Sequence, residues 1–255
     1  MLLSSRDVRV EEFEAQAMLY PEVAGRRVLI TGVRRGFGLD IARTFAEAGA
    51  QLIVQFDELT DDADVFSQML AATAPAFSAH HGRFATADQI VAFGRSAAQE
   101  LGGIDVVLNI VPLDGAPQAP GARLDAAAVE SMISDRLMPA CLVSRIAANR
   151  MRLMLTEGLI LNLATLAPDA DKASRAFAQV AKSALSQMTK REAQGWAEHG
   201  IRFNAVAPPV QAGSASAGGL GGEMDVAALA LYLASGRGKT LSGHTFEAEP
   251  LPDFS

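Results

Sequence analysis

The chain has 255 residues, of which 49% are hydrophobic and 20% are charged. This composition supports a folded core, and the length fits one α/β domain without a split into two. Twenty-two basic residues against 29 acidic ones give a net charge of −7, and no cluster of Lys and Arg is present that would bind a nucleic-acid backbone. We therefore expect a small-molecule substrate or ligand rather than DNA or RNA.

The same sequence bounds the compartment and the metal content. No apolar run reaches the roughly 18 residues that cross a bilayer, and the N-terminus lacks the apolar stretch of a signal peptide. The single cysteine, Cys141, excludes an internal disulfide, and four histidines without metal-ligand spacing make a zinc site unexpected. These features predict a cytoplasmic protein that contacts no membrane and holds no metal.

Residues 1–24 precede the first predicted strand and are interpreted as an N-terminal arm, with a short helix near Val10–Leu19. Residues 25–255 follow as one domain, in which short apolar runs alternate with longer segments whose apolar residues recur at three-and-four spacing. The predicted strands are Arg27–Thr31, Gln51–Phe56, Phe77–Phe84, Ile104–Ile110, Gly158–Leu163 and Arg202–Val206. The predicted helices are Gly38–Ala48, Asp88–Leu101, Ala126–Leu155, Arg175–Glu198 and Val226–Ala234.

This alternation is typical of repeated βαβ units around a parallel sheet. The strands are rich in Val, Ile and Leu with little alternation, as in strands that helices cover on both faces. The segment Pro208–Gly222 consists almost entirely of small residues and is predicted to be a mobile loop. The pattern therefore predicts an α/β fold.

The strongest local signal is the segment Thr31-Gly32-Val33-Arg34-Arg35-Gly36-Phe37-Gly38, which follows the first predicted strand and opens the first helix. Glycines at these points permit a tight turn and let backbone amides approach a pyrophosphate. The positive end of the helix then stabilises that group. The segment predicts a nucleotide-binding turn, and a plain tight turn is the alternative.

The spacing T-G-x-x-x-G-x-G resembles the turn of the short-chain dehydrogenase/reductase family, and the resemblance extends from Gly25 to Glu249. Further blocks resemble the family's motifs in the right order: Leu108-Asn109-Ile110-Val111 after the fourth strand, then Gly158–Asn162, Ile201–Pro208 and Leu241–Phe246 as the last three strands. The resemblance implies a Rossmann-type fold, with about seven strands in a doubly wound parallel sheet between two helical layers. It also implies homo-oligomers, either dimers or tetramers.

The resemblance implies NAD or NADP as cofactor without distinguishing them. In the family, an acidic residue ending the second strand pairs with the ribose of NAD, whereas basic residues there or in the glycine turn favour NADP. Here Phe56 falls on the usual acidic position and Asp57 on the next, while Arg34 and Arg35 lie in the turn, so the two cues conflict. Outside the turn, the resemblance assigns cofactor contacts to Asp57, Asn109 and Lys182.

The family's catalytic residues are only partly matched. In the family a tyrosine transfers the proton, a lysine four residues later lowers the tyrosine's pKa and holds the nicotinamide ribose, a serine orients the substrate oxygen, and an asparagine anchors a relay water. By this resemblance Lys182 is the lysine and Thr165 stands at the serine position. The tyrosine position is Ala178, whose methyl group cannot transfer a proton, and the asparagine position is Arg136.

Three functions therefore stay open. The first is a binding protein or pseudoenzyme, acting as a sensor, scaffold or silent subunit. The second is an oxidoreductase in which water, Lys182 or a loop carboxylate (Asp169 or Asp171) replaces the tyrosine, because Tyr20 and Tyr232 are predicted to lie far from the cleft. The third is a lyase or isomerase that reuses the fold. We favour the first. General acid catalysis contributes about 10²–10⁴-fold, so losing the group would leave hydride transfer slow rather than impossible.

Overall fold

The computed structural model describes residues 20–35, 37–58, 60–113, 126–167, 169–208, 220 and 222–248. Most of the predicted arm, its helix near Val10–Leu19 and most of the loop after Pro208 lie outside these ranges. Within them, Pro21–Val23 forms a short 3-10 helix, and the Val23 side chain is fully buried against the domain. No helix among the described residues is long and apolar enough to cross a bilayer.

Seven parallel strands form one sheet in the order β3-β2-β1-β4-β5-β6-β7. The strands are β1 (Arg27–Val33), β2 (Gln51–Phe56), β3 (Phe77–His81), β4 (Val106–Pro112), β5 (Gly158–Thr165), β6 (Ile201–Ala207) and β7 (Thr245–Glu247). The helices are α1 (Leu39–Glu47), α2 (Asp61–Thr73), α3 (Ala87–Glu100), α4 (Ala126–Met132), α5 (Met138–Leu153), α6 (Lys172–Trp196) and α7 (Glu223–Ala234). The predicted seven-stranded, doubly wound α/β architecture is confirmed.

Two apolar clusters, one on each face of the sheet, hold the layers together. Helices α1, α2 and α7 bury side chains such as Phe45 and Leu231 against one face. Helices α3 and α5 and the end of α6 pack on the other face, where Phe93 and Met151 are buried. Because both faces are covered, the central strands are buried on both sides and mostly apolar.

Two helical segments differ from the sequence prediction. Helix α2 was missed because it buries few apolar side chains, chiefly Leu70, while Val65 is 64% exposed. Its N-cap residue Thr60, whose hydroxyl accepts a hydrogen bond from the Ala63 amide, is the signal that could have found it. The long helix predicted over Ala126–Leu155 is interrupted by a π-helical turn at residues 133–137. Pro139 explains the turn, because proline lacks an N–H and its ring clashes with the preceding turn of an α-helix.

Candidate dinucleotide site

The strand order reverses between β1 and β4, and a crevice therefore opens where the carboxyl ends of these strands diverge. Parallel α/β sheets bind their ligands at such a switch point. A pocket of about 230 Å³ lies there, lined by residues that include Thr31, Gly32, Asp57 and Arg136. Drug-sized ligands occupy pockets of roughly 300–1,000 Å³, so this pocket is small for a whole dinucleotide.

The glycine turn has the backbone that the sequence predicts. Gly32 and Gly38 have φ angles of +77° and +102°, which side-chain-bearing residues rarely adopt. A Cβ atom on Gly32 would collide with the carbonyl oxygen of Ile110, and one on Gly38 would collide with the Ile110 side chain. Both positions therefore require glycine, and the turn fits the close backbone approach of a dinucleotide's diphosphate. Gly36 lies outside the described residues.

The amides at the start of α1 already have an acceptor. Helix α7 places the Glu223 carboxylate so that one oxygen accepts hydrogen bonds from the backbone amides of Gly38 (2.7 Å), Asp40 (2.9 Å) and Ile41 (3.2 Å). Gly38 is the N-cap residue and has no side chain to satisfy these donors. Glu223 therefore acts as the N-terminal cap of α1 from a helix distant in sequence.

Burial dominates the titration of Glu223. Removal from water raises the pKa of this carboxyl to about 7, and the nearby charge of Asp40 adds to the increase. The three amide hydrogen bonds oppose the increase without cancelling it. Near neutral pH the carboxyl is therefore divided between its protonated and ionised forms.

The buried side chain of Gln55 fixes the glycine turn to the ends of β2 and β3. Its Oε1 accepts from the Gly32 amide (2.7 Å), and its Nε2 donates to the Gly82 carbonyl (2.8 Å) and to Asp57 Oδ1 (3.2 Å). Asp57 also lies 3.7 Å from Arg83, a residue that lines the same pocket. Asp57 is thus held at the pocket wall between an amide and a guanidinium.

The side chain of Asn109 is buried between the sheet and helix α5 rather than facing the crevice. It is fully buried, accepts from the Thr31 hydroxyl (2.9 Å), and donates to Ser144 Oγ (2.9 Å) and to Asn162 Oδ1 (2.8 Å). This network ties β1, β4, β5 and α5 together beneath the pocket. Asn109 therefore organises the strand ends that carry the site.

The two arginines of the glycine turn point in different directions. Arg34 donates from Nη2 to the Thr165 hydroxyl at the end of β5 (3.4 Å), so its side chain passes over the end of β4. The Arg35 side chain is 83% exposed and lies 3.8 Å from Asp62 at the start of α2. Between these arginines and the start of α1, the described turn is closed by two hydrogen bonds between the backbones of Arg34 and Phe37 (3.1 Å each).

Ala178, which the sequence matches to the family's tyrosine, lies among apolar side chains. Ala178 on α6 is 5% exposed and belongs to a buried cluster with Val111, Leu113 and Phe177. Tyr20 and Tyr232 instead pack against the apolar cluster under α1 and α7. Among the described residues, neither phenol lies in the cluster that surrounds Ala178.

Lys182 lies one helical turn after Ala178, and its ammonium group is paired with a carboxylate. Its Nζ forms an ion pair and hydrogen bond with the Glu247 carboxylate on β7, and its side chain is 12% exposed. The two residues matched to the family's lysine and serine thus have separate partners, Lys182 with Glu247 and Thr165 with Arg34.

The remaining candidates lie at the borders of the crevice. Arg136 is in the π-helical turn and lines the pocket next to Asp135. Asp171 caps α6 by accepting from the Ser174 amide (2.6 Å), which gives this carboxylate a structural role. A larger cavity of about 570 Å³ lies at the opposite edge of the sheet, beside Gly200 and Lys190, away from all of these residues.

Sequence reasoning missed Gln55, Glu223 and Glu247. Gln55 carries a signal, because it is a polar residue inside an apolar strand. Glu223 carries a weaker one, because acidic residues favour the first turn of a helix, but the predicted helix began at Val226 and left Glu223 in the loop. The pairing of Glu247 with Lys182 has no local signal, since 65 residues separate them.

Comparison with known proteins agrees with this geometry. Residues 26–218 match the family model described as short chain dehydrogenase. Galactitol 2-dehydrogenase of Agrobacterium fabrum is 29% identical over 184 residues, which are 71% of this chain and 69% of that enzyme. Cis-4-hydroxycyclohexanecarboxylate dehydrogenase of Sinomonas cyclohexanicum is 28% identical over 185 residues, covering 72% and 73%.

Solved structures show the same fold. A short chain dehydrogenase from Burkholderia cenocepacia, in complex with NADP, superposes with a TM-score of 0.73 at 21% identity, covering 89% of this chain and 97% of that one. A short-chain type dehydrogenase/reductase from Mycobacterium marinum gives a TM-score of 0.73 at 22% identity, covering 91% and 97%.

Proposed function

This chain belongs to the short-chain dehydrogenase/reductase family, whose members use NAD or NADP, and on that premise we propose that it binds the dinucleotide with hydride transfer lost or strongly impaired. Such a protein would act as a sensor, a scaffold or a silent subunit. The observation that carries the proposal is the buried, apolar environment of Ala178. Among the described residues, the side chains that cluster around Ala178 are apolar and carry no proton donor.

The glycine turn and its surroundings support the first part of the proposal, which is dinucleotide binding. The glycines of the turn, the pocket at the ends of β1 and β4, and the N-terminus of α1 are the parts that hold a diphosphate and a nucleoside in this fold. We assign cofactor binding to seven of the described residues: Thr31, Gly32, Arg34, Arg35, Phe37, Gly38 and Asp57. When bound, the nicotinamide ring supplies or accepts a hydride, and the protein must move the accompanying proton.

The ion pair of Lys182 supports the second part of the proposal, which is that hydride transfer is lost or strongly impaired. Here the Lys182 ammonium is paired with Glu247, so at least one of its three N–H donors is already directed at a carboxylate. Its positive charge is balanced before any ligand arrives. The choice between NAD and NADP stays open, because Asp57 and Arg83 lie in the same pocket.

One observation favours a second candidate, an active NAD(P)-dependent oxidoreductase with a substitute proton donor. The Glu247 carboxylate is a titratable group beside Lys182 at the carboxyl end of β7, and its side chain is 49% exposed. A carboxylic acid in contact with water and with the lysine could replace the tyrosine as general acid or base.

Binding without turnover is the expected result for the purified protein. Calorimetry should detect binding of NADH or NADPH. The rate of reduction of a panel of ketones and aldehydes should be at least about 100-fold lower than that of an active family member assayed alongside, because the general acid is missing. Lys182→Ala and Glu247→Gln should leave the residual rate unchanged. Turnover close to that of the active enzyme, lost in either variant, would establish the second candidate instead.

Restoring the phenol alone should not restore activity. Ala178→Tyr inserts a ring into a packed apolar cluster, so we expect unfolding free energy to fall by about 1–3 kcal/mol, with no gain in carbonyl reduction. Ser183→Tyr, at an exposed position of the same helix, is the control and should cost much less. A stable Ala178→Tyr protein that reduces ketones would mean that only the hydroxyl was missing.

We also propose a cytoplasmic homo-oligomer, either a dimer or a tetramer, from the common behaviour of the family. Light scattering coupled to size-exclusion chromatography measures the mass directly. A mass of two or four times 26.8 kDa is the expected result, and a mass of a single chain would contradict it.

A further inference from the structure

We propose that Glu223 sets the affinity of this protein for its dinucleotide, because its carboxylate occupies the α1 amides that a diphosphate would bind. This inference rests on the proposed nucleotide binding and adds to it the residue with which the cofactor must compete. Glu223 therefore lowers the affinity of the site for a diphosphate and takes no part in proton transfer.

The geometry places both acceptors on the same donors. A helix N-terminus that follows a glycine turn stabilises an anion through its free N–H groups and its partial positive charge. Here the amides of Gly38, Asp40 and Ile41 all donate to one Glu223 oxygen. A diphosphate at this N-terminus would therefore have to displace Glu223 or share a small volume with a negative charge.

The capping role alone does not account for a glutamate at this point. Helix N-termini are usually capped by a nearby Ser, Thr, Asp or Asn, which need no buried charge. Thr60 and Thr86 cap α2 and α3 in this way. At α1 the cap is instead a largely buried carboxyl from another helix, and its cost is visible in a pKa raised by desolvation to about 7.

The charges around Glu223 favour proton uptake rather than ionisation. Helix α1 carries Asp40, Arg43 and Glu47, and α7 carries Asp225 beside Glu223. Asp40 is the charge that raises the pKa of Glu223, while Arg43 is paired with Glu47 at 2.7 Å. Strand β5, on which α7 also packs, contains no titratable side chain. Arg237 lies in the 3-10 turn at the other end of α7. Lower pH therefore removes the negative charge of Glu223 that competes with a diphosphate.

The test measures binding at two pH values in matched variants. Calorimetric titration with NADH and NADPH at pH 8 should show about tenfold tighter binding, or 1.4 kcal/mol, for Glu223→Gln than for the unmodified protein. At pH 5.5 the difference should shrink to about twofold, because the native carboxyl is then mostly protonated. Asp225→Asn removes a charge from the same helical turn and should bind like the unmodified protein at both pH values.

Two smaller probes locate the effect. ADP carries the diphosphate and should gain affinity in Glu223→Gln as NADH does, whereas adenosine lacks phosphate and should be unaffected. Glu223→Ala, which removes the occupant altogether, should bind ADP at least as tightly as Glu223→Gln. Thermal melts of every variant establish that each is folded at the titration temperature.

The outcomes separate this inference from the function on which it rests. Equal affinity of Glu223→Gln and the unmodified protein for NADH, NADPH and ADP would overturn the role of Glu223 while nucleotide binding stands. An equal gain for adenosine would also overturn it, since the effect would not involve phosphate. Failure of every variant to bind either dinucleotide at both pH values would overturn nucleotide binding itself, and this inference with it.

Discussion

Replacing Glu223 with glutamine is expected to stabilise the protein at pH 8 by up to about 3 kcal/mol. The carboxyl has a pKa of about 7 in the folded chain against a model value of 4.5, and each pKa unit corresponds to about 1.4 kcal/mol. Because the folded-state pKa is raised, the stability contributed by the protonated form is fully present below pH 4.5 and is lost as the pH rises to about 7. Glutamine imitates the protonated form at every pH.

Urea unfolding of both proteins between pH 4.5 and 8 measures this difference. The gain from Glu223→Gln should be near zero at pH 4.5, should grow between pH 5 and 7, and should level off above pH 7.5. Asp225→Asn should change the unfolding free energy by no more than about 0.5 kcal/mol, as for other exposed positions. A loss of stability in Glu223→Gln at pH 8 would mean that the ionised cap is worth more than its burial costs.

Replacing Asp105 with alanine is expected to lower the unfolding free energy by about 3 kcal/mol at pH 7. Asp105 precedes β4 and accepts from the Arg27 backbone amide (2.9 Å), from Arg27 Nε (2.9 Å) and from Arg27 Nη2 (2.6 Å). Removing one member of a buried ion pair typically costs about 3–5 kcal/mol. We expect the lower end, because the Arg27 side chain is 21% exposed and can recover some hydration.

The effect should depend on pH and on burial. The pKa of Asp105 is lowered by its hydrogen bonds and charge contact with Arg27, which outweigh the opposing desolvation. Its contribution is therefore present above pH 4 and is lost as the pH falls through the folded-state pKa, so the difference between variant and parent should shrink in acid. Glu157→Ala breaks an exposed pair with Lys239 and should cost no more than about 1 kcal/mol. Equal losses in the two variants would contradict the burial argument.

Most of the fold could be predicted because its signals are local. Apolar runs without alternation marked the strands, and within the described residues the predicted elements start and end within a few residues of those observed. The start of the closing strand is the exception, at Thr245 rather than Leu241. Helix α2 escaped because its apolar pattern is weak, which follows from how little it buries. The interruption at residues 133–137 depends on Pro139, a signal that was present but overruled by the long apolar periodicity.

The candidate site could be predicted only in part. The glycine turn was recognised because steric limits at Gly32 and Gly38 leave a fixed pattern in the sequence. The match of Ala178 to the family's tyrosine position rests on the sequence alone and stays a prediction. The assignment of Asn109 to cofactor contact illustrates the limit, because its complete burial and its bonds to Thr31, Ser144 and Asn162 arise from packing between strands.

The sequence by itself determined the parallel α/β sheet and the glycine turn, since each depends on residue type at short, fixed spacing. The phosphate site at that turn and the loss of the family's tyrosine stay predictions. Only the tertiary structure decided what the charged groups of the site do. Glu223 is 185 residues from Gly38 and Glu247 is 65 residues from Lys182, and these pairs meet because the layers stack at the carboxyl ends of the strands. Charges interact through space, with strengths set by burial. The spacing of residues along the chain therefore does not reveal whether the amides of the glycine turn are free or already bound to a carboxylate.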